Sequence, residues 1–192
     1  ILTVIGNQGT SKSTLTGQLQ DIVHPQTTNL FTLNDSEDNL AIALSSRLLT
    51  CFDNASGIKA NIADLLCSAV TGGAYHKREF YTTAQERIIP YKSMIIVNGL
   101  DIVSRRTDLM ERCVLLELDP ITPEKRKTTK EVEAVFLSLL PKIIGAIFDA
   151  IQKALAMDEL ELKTLSRMAD YELWSCKFAV AMGCCTAEEF QK

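Results

Sequence analysis

Gly6-Asn7-Gln8-Gly9-Thr10-Ser11-Lys12-Ser13-Thr14 is the stretch of this chain whose residue types and order point most directly to chemistry. It matches the phosphate-binding pattern G-x-x-x-x-G-K-[ST] except that Ser11 stands in place of the second glycine. A loop poor in side chains lets backbone N–H groups wrap phosphate oxygens, and a helix starting at its end presents its positive pole. On this reading Gly6 to Thr14 hold the phosphates of ATP. Lys12 reaches the β and γ phosphates, and the Ser13 hydroxyl ligates Mg²⁺. The small Ser11 side chain leaves the skeleton of Gly6, Gly9, Lys12 and Ser13 in place.

Such a loop needs an acid at the end of a neighbouring strand to hold the metal through water, and Leu48-Leu49-Thr50-Cys51-Phe52-Asp53 supplies Asp53. Asn54 follows where many ATPases of this kind carry a second carboxylate that polarises the attacking water. An amide cannot act as a general base, so hydrolysis is either slow or borrows an acid such as Asp35, Glu37 or Asp64. The run Met94-Ile95-Ile96-Val97 ends in Asn98-Gly99, where the amide of Asn98 is placed to orient the lytic water. The competing reading of that dipeptide is a structural turn. Ligands of open α/β sheets collect at the carboxyl ends of strands, which is where the loop, Asp53 and Asn98 converge.

The elements that must position these residues follow from periodicity. Short β-branched runs predict strands at 1–5, 30–33, 48–52, 94–97 and 114–118, and helical spacing predicts helices at 12–23, 36–46 and 59–70. The turn-rich stretch 71–93, with Gly72-Gly73 followed by alternating Tyr75, Lys77, Glu79 and Tyr81, reads as a β-hairpin. After Asp119-Pro120-Ile121-Thr122-Pro123 nothing resembles a strand, and 124–155 and 158–182 carry apolar residues at helical spacing. The expected fold is therefore α/β: a core over 1–120 with a parallel central sheet flanked by helices, then a helical subdomain over 121–192.

The chain has 192 residues, of which 46% are hydrophobic and 23% charged, enough to bury a core and to exclude disorder. Its 20 Lys and Arg against 24 Asp and Glu give a net charge of −4, which excludes a strongly basic nucleic-acid coat but not a local basic patch. No run reaches the roughly 20 uninterrupted apolar residues of a bilayer helix, so no membrane span is expected. Six cysteines without a C-x-x-C pair read as ordinary thiols, which suits a reducing, cytoplasmic setting. The chain opens without Met, directly in the strand Ile1-Leu2-Thr3-Val4-Ile5. We therefore expect a longer parent protein with a further N-terminal domain.

The order of phosphate loop, strand with Asp53, Thr71-Gly72-Gly73 with a basic hairpin, strand ending in Asn98, then Asp108 and Arg112 resembles the AAA+ superfamily 3 helicases. It is closer still to the primase/helicase P-loop ATPases of phages and bacterial mobile elements, of the poxvirus D5-like kind. Pro141 to Ile147 and Arg167-Met168-Ala169-Asp170-Tyr171 share the likeness, which covers most of the chain. The resemblance implies that Arg112 enters a neighbouring subunit's ATP site as an arginine finger, with Arg105 and Arg106 as fallbacks. It implies that Arg167 senses the γ phosphate. It also implies that His76, Lys77 and Arg78, with Arg87 and Lys92 on the return strand, form a pore hairpin gripping single-stranded DNA. Tyr75 or Tyr81 would stack on bases there. The function so implied is an ATP- and Mg²⁺-dependent motor, a hexameric ring acting on single-stranded or forked DNA. One rival is a regulatory AAA+ ATPase acting on protein partners, in keeping with the acidic charge. A small-molecule kinase is disfavoured by the long helical C-terminal region.

Overall fold

A computed structural model describes residues 1–25, 30–33, 36–55, 57–78, 86–100 and 106–191. They form two compact units, Ile1–Arg126 and Lys127–Lys192. The division thus falls after Arg126, where the composition shift suggested residue 120.

In chain order the first unit contains β1 (Leu2–Ile5), α1 (Lys12–Val23), α2 (Glu37–Ser46), β2 (Leu49–Ala55), α3 (Ala60–Thr71), β3 (Gly73–Arg78), β4 (Glu86–Tyr91), β5 (Met94–Gly99), α4 (Thr107–Met110) and β6 (Val114–Glu117). A 3-10 turn at Pro123–Lys125 closes it. Strands β2, β5, β1 and β6 lie side by side in that order as a parallel sheet. Parallel strands covered on both faces read as continuous apolar runs, and Val4, Phe52 and Val97 are each no more than 1% exposed. One face packs Phe52 and Val97 under Leu40 and Leu44 of α2 and Leu66 of α3. The other packs Val4, Cys51 and Ile96 against Leu15 and Leu19 of α1. All six cysteines are free, and burial pushes the Cys51 thiol up to about 12.

The expected strand at 30–33 is reduced to one parallel bridge between Phe31 and Phe52. Phe31 donates its N–H to Cys51 and accepts from Asp53, and the chain then turns at Leu33. The hairpin is present as the antiparallel pair β3 and β4, which sets Lys77 opposite Arg87 and Arg78 opposite Glu86. Its base is pinned to the core: the Tyr91 hydroxyl lies 2.8 Å from Ser68 Oγ, and Ser93 Oγ lies 3.0 Å from Thr50 Oγ1.

The second unit holds α5 (Thr129–Ala156), α6 (Ala169–Ala181) and α7 (Ala187–Phe190). Helix α5 starts later than its apolar spacing suggested because Thr128 and Glu131 form a reciprocal capping box. Residues 157–168, expected to be mostly helical, are not, although Leu162 and Leu165 mimic helical spacing. There Ser166 donates its N–H to Glu172 Oε2 at 2.6 Å, which ties the turn to the first turn of α6. One feature lies outside the uninterrupted-run criterion: by length and composition α5 is long and apolar enough to cross a membrane, with an 18-residue window of mean hydropathy 1.9. Counting only uninterrupted apolar runs passed over it, because Lys142 and Asp149 break the stretch. A core helix of a soluble protein meets the same criterion.

Candidate functional site

The Gly6–Ser13 loop leaves the carboxyl end of β1 and feeds α1, as its sequence requires. Gly6 is mandatory for packing, since a Cβ there would lie 2.6 Å from the Leu118 carbonyl oxygen just beyond β6. Ser11, at the position the usual pattern gives to glycine, adopts the left-handed conformation with φ 60° and ψ 30°. The glycine-like geometry is therefore kept without the glycine, at a conformational cost of about 1–2 kcal/mol for an L residue. Within the loop the Thr10 hydroxyl donates to Asn7 O at 3.1 Å. The Lys12 ammonium donates to Gly6 O at 2.7 Å and Asn7 O at 2.8 Å, so it lies across the mouth of the loop. Asn7, Gln8, Gly9, Ser11, Ser13 and Thr14 are exposed.

Asp53, at the end of β2, faces the loop directly. Its Oδ1 accepts from Ser13 Oγ at 3.0 Å and from the Asn54 N–H at 2.8 Å. Asn54 itself sits at φ 52°, and the β2–β5 register slips between Phe52 and Ala55. That bulge turns the Asp53 carboxylate toward α1, a common use of bulges next to sites. Asn98, 1% exposed, is placed one layer deeper. Its Oδ1 accepts from the Asn54 N–H at 2.9 Å, and its Nδ2 donates to Thr16 Oγ1 of α1 at 3.3 Å. Asn98 thus ties the end of β5 to the ends of β2 and α1, and Thr16 is the linking residue that sequence spacing did not reveal. Buried amides are expected to be so satisfied.

The other candidates are placed as follows. Arg112 follows α4 and donates its N–H to Leu109 O. Its side chain is half-buried, and its Nε is buried without a hydrogen-bond partner among the described residues. Arg106 is held inside the unit. It contacts Asp64 at 2.7 Å, both Asp108 oxygens at 3.1 and 3.2 Å, and Ala60 O at 3.0 Å. The Arg106 guanidinium holds the Asp108 carboxyl below its ordinary value. These contacts occupy two residues that sequence reading offered for other work, Arg106 as a fallback finger and Asp64 as a borrowed acid. Glu37 accepts from Asn61 Nδ2 beside the first turn of α2. Asp35 and Arg105 lie outside the described residues.

On the hairpin, His76 is exposed, and the backbone of Lys77 and Arg78 completes β3. Tyr75, offered for base stacking, instead packs against the core, and a hydrogen bond to Asp38 raises its pKa. Tyr81 lies outside the described residues. Arg167 belongs to the second unit, exposed on the turn before α6.

At the level of fold the chain is similar to the apo structure of the NrS-1 C terminal region (305–718). The TM-score is 0.51 at 18% identity, over 75% of this chain and 36% of that one. An A form of the same region gives a TM-score of 0.49 at 19% identity, over 72% and 33%. JCV helicase bound to a substituted acetamide gives a TM-score of 0.41 at 16% identity, over 74% and 40%. The chain spans about a third of the NrS-1 structures it matches. No curated protein matches it significantly. The family model of the actinomycete integrative conjugative element replication protein matches residues 2–191, nearly the whole chain, and the chain therefore belongs to that family of replication proteins.

Proposed function

We propose that this chain is the ATP-hydrolysing motor domain of a DNA helicase or primase-helicase-like replication protein, an AAA+ P-loop ATPase that works as a ring on DNA. The observation that carries the reading is the 3.0 Å contact between Ser13 Oγ and Asp53 Oδ1 at the mouth of a loop whose Ser11 is left-handed. The two oxygens suit a hard divalent cation that keeps most of its water and takes the rest of its shell from phosphate oxygens. Mg²⁺ bound there would neutralise charge on the nucleotide phosphates. Phosphate oxygens, stronger acceptors than the Gly6 and Asn7 carbonyls, would draw the Lys12 ammonium into the loop. The N–H groups at the start of α1 would complete the cradle.

Asn98 serves this site by holding the Asn54 N–H and Thr16, which keeps Asp53 aimed at Ser13. In the ring, Arg112 is the residue we assign to a neighbour's γ phosphate, on its place between α4 and β6. Arg167 is assigned to the γ phosphate from the second unit. His76, Lys77 and Arg78 are assigned to the DNA backbone, whose phosphates the ammonium and guanidinium groups of lysine and arginine neutralise.

The test is the ATPase rate of the protein with and without single-stranded DNA at two salt concentrations, beside Lys12→Ala. The expected result is DNA stimulation that weakens with salt and disappears in the variant. ATP turnover by a folded Lys12→Ala protein equal to that of the wild type would overturn the site. A rate indifferent to DNA would overturn the motor.

A further inference from the structure

We infer that Arg126 contacts the phosphates of a nucleoside di- or triphosphate bound by its own subunit, reaching the Gly6–Ser13 loop from the turn that follows β6. The inference rests on the proposed reading of that loop as the nucleotide site. Beyond β6 the chain runs back along the loop rather than away from it. The Leu118 carbonyl abuts Gly6, and the Ile121 N–H donates to Gly9 O at 3.4 Å. The 3-10 turn then reverses the chain, with the Lys125 N–H on Thr122 O at 3.0 Å and the Arg126 N–H on Pro123 O at 3.3 Å. Arg126 Nε donates to Ile121 O at 3.3 Å, which folds the guanidinium back over the segment already bonded to Gly9.

The outcome is a close approach: a Cβ built on Gly9 would lie 3.5 Å from Arg126 Nη2. Gly9 sits at φ 81°, so the loop presents bare backbone to the guanidinium. No residue from Gly6 to Thr14 is acidic, and no carboxylate among the described residues forms an ion pair with Arg126. A second cation is thus brought to a loop that already holds Lys12 and the positive end of α1, while the carboxylate beside the loop, Asp53, is engaged by Ser13 and the Asn54 N–H. An anion of high charge resolves that arrangement. With Nε held by Ile121, the Nη groups remain to meet phosphate oxygens, the ligand geometry for which a guanidinium is suited. Sequence spacing gave no signal for this residue, because its place depends on how the turn after β6 folds back.

The experiment measures equilibrium binding of a fluorescent ATP analogue, with unlabelled ATP and inorganic tripolyphosphate as competitors. It compares wild type, Arg126→Ala, Arg126→Lys and Lys12→Ala, each with its melting temperature recorded without ligand. Arg126→Ala is expected to melt like the wild type, its side chain being exposed. It should bind ATP and tripolyphosphate more weakly by the same factor, roughly ten- to a hundredfold for one lost charge-assisted contact. Arg126→Lys should recover part of that loss, since it keeps the charge but not the planar fork. Unchanged ATP affinity in Arg126→Ala while Lys12→Ala loses binding would overturn the inference and leave the loop reading standing. Loss of ATP affinity without loss of tripolyphosphate affinity would mean the contact is to the base or sugar, and would overturn the phosphate assignment. A wild-type protein that binds neither would overturn both.

Discussion

Replacing Ser11 by glycine is expected to stabilise the first unit although it removes atoms. Ser11 sits at φ 60° and ψ 30°, and its side chain makes no capping hydrogen bond to α1. The left-handed conformation costs an L residue about 1–2 kcal/mol, because Cβ crowds the next carbonyl. Against this, glycine gives up about 0.5–1 kcal/mol more conformational entropy on ordering. The balance favours Ser11→Gly by about 0.5–1 kcal/mol. For a unit spanning Ile1–Arg126 that corresponds to a rise in melting midpoint of about 2–5 °C. The measurement is thermal unfolding by circular dichroism without nucleotide, with Ser11→Val as the opposite perturbation. A β-branched side chain fits the left-handed region worse than serine, so the valine variant should melt below the wild type. A glycine variant that melts at or below the wild type would refute the reasoning. So would a valine variant that matches it, since either result means the loop does not hold Ser11 in that conformation.

Three further outcomes are expected. Asp53→Asn keeps an oxygen to accept from Ser13 and the Asn54 N–H, so it should fold and bind ATP. Its turnover should fall by about 10–100-fold, the usual cost of losing an outer-shell metal partner, and equal turnover across a Mg²⁺ titration would remove Asp53 from the site. Joint replacement of Lys77 and Arg78 by Ala should weaken single-stranded DNA binding regardless of sequence. The log-log salt slope should shrink by roughly 0.7 per lost phosphate contact, and an unchanged slope in anisotropy titrations would leave the hairpin a structural element. Arg112→Ala should bind ATP yet lose up to about 10³- to 10⁵-fold in hydrolysis, and mixing it with Lys12→Ala should restore some activity in a mixed oligomer. Absence of rescue in a proven mixture would place Arg112's action within its own subunit.

The parts of this protein legible in its sequence are those set by neighbours along the chain. Strand, loop and helix from Leu2 to Val23 follow from local pattern, and even the left-handed backbone at Ser11 is foreshadowed by the glycine that usually stands there. The Thr128 and Glu131 capping box was likewise present as residues three apart, although apolar spacing drew the helix start too early. Other features depend on residues far apart in the chain. Asn98 reads as a strand-end amide placed to orient the lytic water, or as part of a turn. It is turned inward because α1 packs over β5 and brings Thr16 to its amide nitrogen, while the bulge in β2 offers it the Asn54 N–H. Arg106 reads as a spare cation, but the packing of α3 beside α4 brings Asp64 and the Ala60 carbonyl to it. Arg126 carries no motif, and only the reversal after β6 sets its guanidinium beside Gly9. Local propensity and turn chemistry act within a few residues, whereas a buried polar group takes whichever partner the packed elements bring within hydrogen-bond reach, and that pairing exists only once the chain has folded.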